Sequence, residues 1–313
     1  MTIASIDIGT NTILLLIADV DIENLSIKTI FNEQKIPRIG EGLKSGKPIN
    51  EKKRELLLQI LSSYAETSKK FNAEVIFAKA TNAFRIASNQ TELLKLIKKN
   101  IGIEVDVISG LEEARLTFLG CTYEHSSTKR FAVIDIGGGS TEIVIGKKNK
   151  IFEVLSLPIG VVSLTEKFFN TTPTKTSQIQ NCNRFIQNIL NKNLSQFPKY
   201  ETAIAVAGTP TTLACIQNNI NEYDESKIEG SVLLRSDVEN FSTQLIQLSP
   251  KEIILKYHSV VEGREDVLLA GSMLLSQIMR QLNTEEVVVS SKGLRYGAVV
   301  DYLLKNIKDL NFE

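Results

Sequence analysis

A short pattern of an acidic residue, an apolar residue and a glycine turn occurs twice in this chain, and it constrains the fold more than any other feature. The first copy reads Ile-Asp-Ile-Gly-Thr-Asn-Thr over residues 6–12, and the second reads Asp-Ile-Gly-Gly-Gly-Ser-Thr over residues 135–141. The aspartates Asp7 and Asp135 are 128 residues apart. Each copy lies between two apolar, β-rich runs, which is typical of a β-hairpin. The repeat therefore predicts two sheets, each beginning with a hairpin that carries an aspartate before its turn.

The length and composition of the chain agree with two domains. Its 313 residues exceed the usual size of one domain, and 42% hydrophobic residues are enough for two cores. The hairpin pattern restarts after a polar stretch at residues 125–130. We therefore predict an N-terminal domain over residues 1–124 and a C-terminal domain, with a helical insertion, over residues 125–313. The last helix is expected either to stay with the second domain or to pack on the first.

Periodicity predicts the elements of an α/β fold in both domains. The first domain is predicted to contain an antiparallel meander and then alternating helices and strands: strands 3–8, 12–18 and 25–31, helix 51–70, strand 74–78, a short helix at 82–87, a helix to 99, strand 103–108 and a helix from 111. The second domain repeats this order with added helices: strands 131–136, 141–146 and 151–157, helices 161–169 and 174–195, strand 202–206 and a helix after it, helices across 236–256 and 264–282, strand 286–290 and helix 293–305.

The glycine turns of the two hairpins are suited to binding phosphate. Glycine lets main-chain N–H groups approach an anion without interference from a Cβ atom, and it tolerates positive φ. The aspartates stand where a divalent cation or a water could bridge to a phosphate. A single Asp-x-Gly-x-Asn hairpin is more often an ordinary tight turn. Two copies in equivalent positions favour the functional interpretation.

Charge and cysteine content exclude several classes of partner. Thirty-six basic and thirty-six acidic residues cancel, so no net field attracts DNA, RNA or an anionic membrane. An anionic substrate therefore has to be bound by a local cluster of cations. Cys121, Cys182 and Cys215 lack metal-ligand spacing and predict no disulfide framework. The first residues show no leader pattern. A cytoplasmic protein is expected, and a homodimer is left open.

The stretch from Ser109 to Arg115 predicts both a helix start and a reactive carboxylate. Ser109 and Glu112 form a Ser-x-x-Glu pattern, in which Ser109 caps the helix and Glu112 reaches back to the Ser109 N–H. Glu113 is rotated by about 100° from Glu112 on an ideal helix, so it is free to point elsewhere. Its place in the first turn favours an ionised carboxylate, which can orient and deprotonate a water. The alternative is a surface charge beside a helix cap.

Eight motifs, spread in order over about residues 3–300, together resemble those of the exopolyphosphatase and guanosine pentaphosphate phosphatase (Ppx/GppA) family. They are Asp7–Asn11, Arg38–Leu43, Thr81–Asn89, Ser109–Arg115, Asp135–Glu142, Gly208–Leu213, Gly263–Asp266 with Gly271, and Ser291–Gly297. The resemblance implies the superfold of actin, hexokinase and the heat-shock ATPases. That fold has two ribonuclease H-like α/β domains facing each other across an interdomain cleft.

The resemblance also implies roles for individual residues. Glu113 matches the catalytic glutamate, and Arg85 is positioned for a two-pronged contact with a phosphate. Asp135 and Glu142 are implied to hold Mg²⁺ (or Mn²⁺), directly or through water. The implied phosphate-binding residues are Asp7, Gly9, Thr10, Asn11, Gly137, Gly138, Gly139, Ser140, Gly208 and Thr209.

Several of these residues also have ordinary structural explanations. Arg85 is equally explained as a helix-surface arginine, and Glu142 as an exposed strand residue. Strand parity does not decide whether Asp135 and Glu142 face the same way, because the turn between them resets the alternation. Gly208-Thr209 is explained as well by packing at a helix start as by ligand contact, and the same holds for Arg295 near the end of the chain.

A basic track for the substrate is predicted in the turn-rich region after the first meander. Its cations are Lys35, Arg38, Lys44 and Lys47. Lysines in loops of this kind are more often simply solvated. The prediction follows from the neutral overall charge, which leaves local clusters to attract an anion.

These observations predict a magnesium-dependent hydrolase that removes a terminal phosphate. Its substrate is inorganic polyphosphate or guanosine pentaphosphate, and a water aligned by Glu113 attacks in line while cations and N–H groups stabilise the transferred group. Two other classes stay open: a small-molecule kinase of the same superfold, and a non-catalytic regulator that binds guanosine tetra- or pentaphosphate. His125 and His258 lie outside any motif, and no P-loop pattern occurs.

Overall fold

The computed structural model describes residues 1–22, 26–125, 128–148, 150–169, 171, 174–194 and 197–307. Parts of four predicted segments lie outside the described residues: residue 25 of the third strand, residues 126–127 of the polar stretch, residue 195 of a helix, and residues 308–313 of the second domain. The chain divides into two units. Unit 1 contains Met1–Tyr123 together with Leu294–Glu313, and unit 2 contains Glu124–Gly293.

Unit 1 is built on a five-stranded sheet of order β3-β2-β1-β4-β5. Its elements are β1 (Thr2–Ile8), β2 (Ile13–Asp21), β3 (Ser26–Lys35), α1 (Glu51–Lys70), β4 (Val75–Ala80), α2 (Asn82–Ile86), α3 (Gln90–Ile101), β5 (Val105–Val107), α4 (Gly110–Thr122) and α12 (Leu294–Ile307). The first three strands form the predicted antiparallel meander, and β4 and β5 run parallel to β1.

The two faces of this sheet pack against different helices. Ala4, Ile6 and Ile8 of β1 belong to the core cluster that α1 and α3 complete. Ile3 faces the other way, into a cluster with Tyr296 of α12. This follows from the two-residue alternation of a strand. Helix α12, which follows unit 2 in the sequence, therefore covers the second face of the unit 1 sheet.

Helices α4 and α12 approach each other closely at Gly297. A Cβ atom at this position would lie 1.7 Å from the carbonyl oxygen of Leu116 in α4. Only glycine allows the two backbones to be this close. Nearby, Leu116 packs with Leu294 and with Ile108, which precedes α4.

Unit 2 is built on a six-stranded sheet of order β10-β11-β9-β6-β7-β8. Its elements are β6 (Phe131–Ile136), β7 (Thr141–Lys147), β8 (Lys150–Leu157), α5 (Val161–Phe168), α6 (Thr176–Asn193), β9 (Thr202–Val206), α7 (Gly208–Gln217), α8 (Glu225–Ile228), β10 (Val232–Leu234), α9 (Arg235–Ile246), α10 (Pro250–Tyr257), a 3₁₀ turn (His258–Val261), α11 (Leu268–Gln281) and β11 (Glu286–Ser290). As in unit 1, an antiparallel hairpin leads the sheet and a parallel strand follows it.

The structure corrects some predicted elements. The helices predicted across 236–256 are α9 and α10, and Ser249 caps the second of them, which has Pro250 at its first position. Helix α11 begins at Leu268 rather than at 264. Helix α8 and strand β10 are four and three residues long, too short for their periodicity to be read from the sequence. Cys121, Cys182 and Cys215 are free and buried. Among the described helices, none has the length and apolarity needed to cross a membrane.

Candidate active site

The two predicted hairpin turns have the same hydrogen-bond geometry. In unit 1 the Gly9 N–H donates to the Thr12 carbonyl oxygen at 2.9 Å. In unit 2 the Gly137 N–H donates to the Ser140 carbonyl oxygen at 3.0 Å. Neither of these two glycines has a positive φ, so the conformational freedom of glycine is not used there. A Cβ atom would instead lie 3.0 Å from the carbonyl oxygen in each turn, which makes close approach the reason for glycine.

The turn of unit 1 is held by the loop that follows the meander. The Arg38 N–H donates to the Asn11 carbonyl at 3.0 Å, and the Gly40 N–H donates to the Thr10 carbonyl at 2.9 Å. A Cβ atom on Gly40 would lie 2.3 Å from Cγ2 of Thr10. The Oδ1 atom of Asn11 is buried and has no hydrogen-bond partner within the described residues. A ligand, a cation or a water that meets this oxygen would remove the cost of leaving it unpaired.

The structure brings one cation of the predicted track to this turn. Arg38 adopts a φ of 51° beside Asn11, and its guanidinium lies 3.7 Å from Glu41. Lys35 ends β3, and its Nζ lies 2.7 Å from Glu33 on the same strand, with about half of the lysine side chain exposed. Both cations therefore have a carboxylate of the same unit within reach.

Arg85 and Glu113 form an ion pair in unit 1. Nη1 of Arg85 donates to Oε2 of Glu113 at 2.7 Å and to the carbonyl oxygen of Ile108 at 3.0 Å. Glu113 is 8% exposed. A charged hydrogen bond of this length is among the stronger contacts in a protein and fixes the direction of both groups. Arg85 is thus oriented by the carboxylate and is not a plain helix-surface arginine.

Ser109 caps α4 as predicted, but its partner behaves differently. Oγ of Ser109 accepts from the Glu112 N–H at 3.2 Å. The carboxylate of Glu112 does not complete the predicted box, because both of its oxygens accept from Arg115, at 2.7 and 2.8 Å. The conclusion drawn from the pattern remains, since Glu112 is occupied and Glu113 points elsewhere.

In unit 2, Asp135 and Glu142 are direct cross-strand partners of β6 and β7. Directly opposed residues of an antiparallel pair have their side chains on the same face of the sheet, so the two carboxylates share one side. The sequence left this open. Glu142 is 1% exposed, and its Oε1 accepts from Oγ of Ser156 on β8 at 2.7 Å. In unit 1 the residue paired with Asp7 is Leu14, so the second carboxylate belongs to one copy of the repeat.

The glycine turn of unit 2 uses its carbonyl groups to start a helix. The N–H groups of Val161 and Val162 donate to the carbonyls of Gly137 and Gly138, at 3.0 and 2.8 Å. Gly160, which precedes α5, allows this contact, because a Cβ atom there would lie 2.5 Å from the backbone of Gly138. These bonds satisfy N–H groups that a helix leaves unpaired at its start.

The same turn also has N–H groups that can donate to a ligand. Within the described residues, the N–H groups of Gly138 and Gly139 donate to no backbone carbonyl. Successive N–H groups that are not paired within a chain make an anion-binding concavity. The turn thus offers donors on the same hairpin that carries Asp135 and Glu142.

Gly208 and Thr209 have a clear packing role. A Cβ atom on Gly208 would lie 3.0 Å from the guanidinium of Arg264, and one on Gly271 of α11 would lie 2.0 Å from Oγ1 of Thr209. Arg264 is buried, and its Nη1 donates to Oγ1 of Thr212 at 2.9 Å. Burial lowers the pKa of its guanidinium. The packing explanation of this pair, left open by the sequence, is therefore favoured.

Arg295 likewise has partners in unit 1. Its Nη1 donates to the side-chain oxygen of Asn32 on β3. The neighbouring Tyr296 hydroxyl lies 2.8 Å from Oγ1 of Thr29 on the same strand. Both contacts attach α12 to the meander.

Sequence reasoning missed Ser156 and Gly160. Ser156 contacts Glu142 because the register of β8 on β7 places these two residues opposite each other. No local sequence pattern predicts that register. Gly160 had a signal, since it precedes an apolar run that reads as a helix, and glycine is tolerated at the residue before a helix.

The donors at Asp135 and Glu142 fit magnesium that is held partly by its substrate. Within the described residues, no group of three or more His, Cys, Asp or Glu side chains is arranged to hold a metal. Proteins usually bind Mg²⁺ through one or two carboxylates, and the ion keeps several waters and binds substrate phosphates as well. A dedicated cage of protein ligands is not what this arrangement provides.

Residues 16–306 match the family model of the Ppx/GppA phosphatase family. Among curated relatives, the chain is 31% identical to a bifunctional 3-dehydroquinate synthase/phosphatase of Fusobacterium nucleatum, covering 95% of this chain and 46% of that protein. It is 30% identical to exopolyphosphatase 2 of Mycobacterium tuberculosis, covering 90% of both. It is 26% identical to guanosine-5′-triphosphate,3′-diphosphate pyrophosphatase of Photobacterium profundum, covering 96% of this chain and 59% of that protein. The chain thus spans about half the length of two of these relatives.

A solved structure agrees with the same assignment. The crystal structure of the Aquifex aeolicus member of the Ppx/GppA protein family is 32% identical, with a TM-score of 0.84 and 98% of each chain covered. The predicted two-domain α/β fold is therefore confirmed.

Proposed function

This chain belongs to the Ppx/GppA phosphatase family, and on that premise we propose that it hydrolyses the terminal phosphoanhydride bond of a polyanionic substrate. The substrate is inorganic polyphosphate, the 5′ γ-phosphate of guanosine pentaphosphate, or both. The names of an exopolyphosphatase and of a guanosine-5′-triphosphate,3′-diphosphate pyrophosphatase among the relatives support this range. A water attacks the terminal phosphorus, and the P–O bond between that phosphorus and the rest of the chain breaks. The products are inorganic phosphate and a chain shortened by one phosphate.

The observation that carries the proposal is the ion pair between the buried Glu113 and the partly buried Arg85. Glu113 accepts the proton of the attacking water, for which an oriented carboxylate is required. Its 2.7 Å contact with Arg85 fixes that orientation. Arg85 also places a positive charge near the transferred phosphoryl group, on which negative charge develops during the reaction. A surface carboxylate beside a helix cap would have neither burial nor this partner.

Each of the two hairpin turns is assigned to the binding of phosphate. The N–H groups of Gly138 and Gly139 donate to phosphate oxygens, and the turn at Gly9, Thr10 and Asn11 is the matching element of unit 1. Asp7 stands at the position equivalent to Asp135. Arg38 lies beside the first turn and contacts the anionic chain next to its reacting end, with Lys35 further along.

A divalent cation is part of the proposal. Asp135 and Glu142 would hold Mg²⁺, or Mn²⁺, through one carboxylate each and through water. Bound there, the cation supplies charge neutralisation at the phosphate oxygens. Oγ of Ser156 donates to Oε1 of Glu142 and so keeps this carboxylate oriented for binding the cation.

The test is phosphate release from long-chain polyphosphate and, separately, from guanosine pentaphosphate, with Mg²⁺, with Mn²⁺ and with EDTA. Wild type is compared with Glu113→Gln and with a matched control, Glu104→Gln, whose side chain is 76% exposed. We expect release that EDTA abolishes, a loss of about 10²–10³ in turnover for Glu113→Gln, and no change for the control.

Other outcomes would refute the proposal in distinguishable ways. Tight binding of guanosine pentaphosphate by calorimetry, with no release by folded wild type, would replace the hydrolase by a regulator. Phosphate that appears on an added acceptor instead of in solution would replace it by a kinase. Full activity of Glu113→Gln would remove Glu113 from the mechanism.

We also propose that the protein works in the cytoplasm. Three free, buried thiols are in keeping with a reducing compartment. The balanced charge argues against a nucleic-acid or membrane partner. Light scattering would show whether the protein forms a homodimer, which the sequence left open.

A further inference from the structure

Helix α4 carries Glu113, and the side chain that holds its first turn is Arg115. Nε and Nη2 of Arg115 donate to the two carboxylate oxygens of Glu112, at 2.8 and 2.7 Å. Its Nη1 lies 2.9 Å from Oδ1 of Asp301, which belongs to α12. A guanidinium has a planar fork of donors, and here the fork bridges two carboxylates on two helices.

We propose that Arg115 is a positioning residue for Glu113, because it clamps the first turn of α4 to α12 through Glu112 and Asp301. The proposal rests on the proposed function, since it concerns the residue assigned there as the base. It adds a role for three side chains that do not touch the reacting atoms in that assignment. We call Glu112, Arg115 and Asp301 the α4 clamp.

The α4 clamp is a partly buried network and not a pair of solvated surface charges. The side chains of Arg115 and Asp301 are 33% and 15% exposed. Burial alone would raise the pKa of Asp301, but hydrogen bonds from Arg115 and Lys305 outweigh it and lower that pKa. The pKa of Arg115 is raised, mainly by its hydrogen bond with Glu112. Arg115 and Asp301, the two groups that join α4 to α12, are therefore charged at neutral pH, as an ionic clamp requires.

Packing against α12 holds α4 beyond its first turn. Gly297 and Leu294 of α12 contact α4 at Leu116, one turn beyond Glu112. These contacts fix the distance between the two helices. The α4 clamp adds a directional bond at the end of the helix, where the first N–H groups have no helical partners and helices fray.

The α4 clamp also sorts carboxylates between two arginines. Glu112 and Glu113 are adjacent in the first turn, and Arg85 donates to Glu113. Glu112 accepts two bonds from Arg115, so each of the two adjacent carboxylates has its own arginine. Arg115 therefore acts on Glu113 through the backbone of the first turn of α4, without touching it.

The test compares Arg115→Met, Arg115→Lys and Asp301→Asn with a control, Lys98→Met, which breaks an exposed ion pair of the same unit. Steady-state kinetics of phosphate release are measured over a range of pH. Amide hydrogen exchange is measured for residues 110–116, and melting temperatures are recorded. We expect kcat to fall about tenfold or more in Arg115→Met and Asp301→Asn, because small displacements of a catalytic group are costly.

Four further results are expected from the same variants. KM stays within twofold, the acidic limb of the pH–rate profile moves, and exchange in residues 110–116 becomes faster. Arg115→Lys, which keeps the charge but not the fork, recovers part of the loss. A lower melting temperature with kcat within twofold of wild type and an unmoved pH profile would reduce the α4 clamp to a stability device and overturn the proposal.

The design separates this proposal from the proposed function. If wild type releases no phosphate from either substrate, the hydrolase is refuted, and amide exchange still tests the α4 clamp. Unchanged exchange in residues 110–116 of folded Arg115→Met and Asp301→Asn would then refute it. If Arg115→Met fails to fold, Asp301→Asn carries the same test, because it removes the second side of the bridge and leaves Arg115 on Glu112.

Discussion

Ala207 connects β9 to α7 with φ at 80° and ψ at −169°, a backbone conformation that glycine adopts and other residues avoid. Its methyl group is therefore a source of strain, which in this region costs of the order of 1–3 kcal/mol. Ala207→Gly removes that strain. The cost of the substitution is the extra freedom that glycine has in the unfolded chain, about 0.5–1 kcal/mol. With the middle of each range, about 2 and about 0.75 kcal/mol, the net expectation is a stabilisation of about 1 kcal/mol.

The assay is reversible urea unfolding followed by circular dichroism, with thermal melting alongside. For a unit of the size of unit 2, about 1 kcal/mol corresponds to roughly 2–4 °C, so the melting temperature should rise by about that amount. Ala214→Gly is the matched control. It deletes the same methyl group from the interior of α7, where glycine costs about 1 kcal/mol and the lost buried methyl nearly as much again.

The two variants should therefore move in opposite directions. A destabilised Ala207→Gly, with Ala214→Gly equally destabilised, would show that the left-handed conformation at 207 is not strained, and the reasoning would fail. Val206, the residue before Ala207, pairs with Asp135 across the sheet. Activity measured on the stabilised variant therefore shows whether the strain serves the site.

Two further predictions concern the site and the helix pair. Gly160→Ala places a methyl group 2.5 Å from the backbone of Gly138 and displaces the glycine turn. The rate of phosphate release should fall by about 10²-fold and KM for polyphosphate should rise. Kinetics of this variant equal to those of wild type would show that the turn does not bind substrate. Asp301 has a lowered pKa in the folded chain, so its stabilising effect is present above the ordinary value of 3.8 and is lost as pH falls through the folded value. The difference in unfolding free energy between wild type and Asp301→Asn should therefore be constant from pH 5 to 7 and shrink below about 3.8, and a difference that does not shrink there would contradict the assignment.

Local signals predicted the parts of the site that depend on nearby residues. The repeated Asp-x-Gly pattern predicted both hairpins, and the structure reproduces even the hydrogen bond within each turn. The cap at Ser109 was predicted because its partner N–H is three residues away.

Contacts set by distant residues could not be predicted in this way. Glu112 was expected to accept from the Ser109 N–H, yet its carboxylate is held by Arg115, whose second partner, Asp301, lies far along the chain. The shared face of Asp135 and Glu142 depends on how the turn between them closes, because one residue more or fewer reverses a strand's sides. Ser156 reaches Glu142 only through the pairing of β8 with β7.

The coverage of the unit 1 sheet by α12 affects the order in which the protein can be completed on the ribosome. Residues of unit 2 form one continuous segment, Glu124–Gly293, whereas unit 1 needs Leu294 and the residues after it. Until those residues emerge, the face that carries Ile3 and Leu16 is without its helix. A nascent chain thus presents an unfinished apolar surface throughout synthesis of the second unit, and chaperone binding during that interval is the expected consequence.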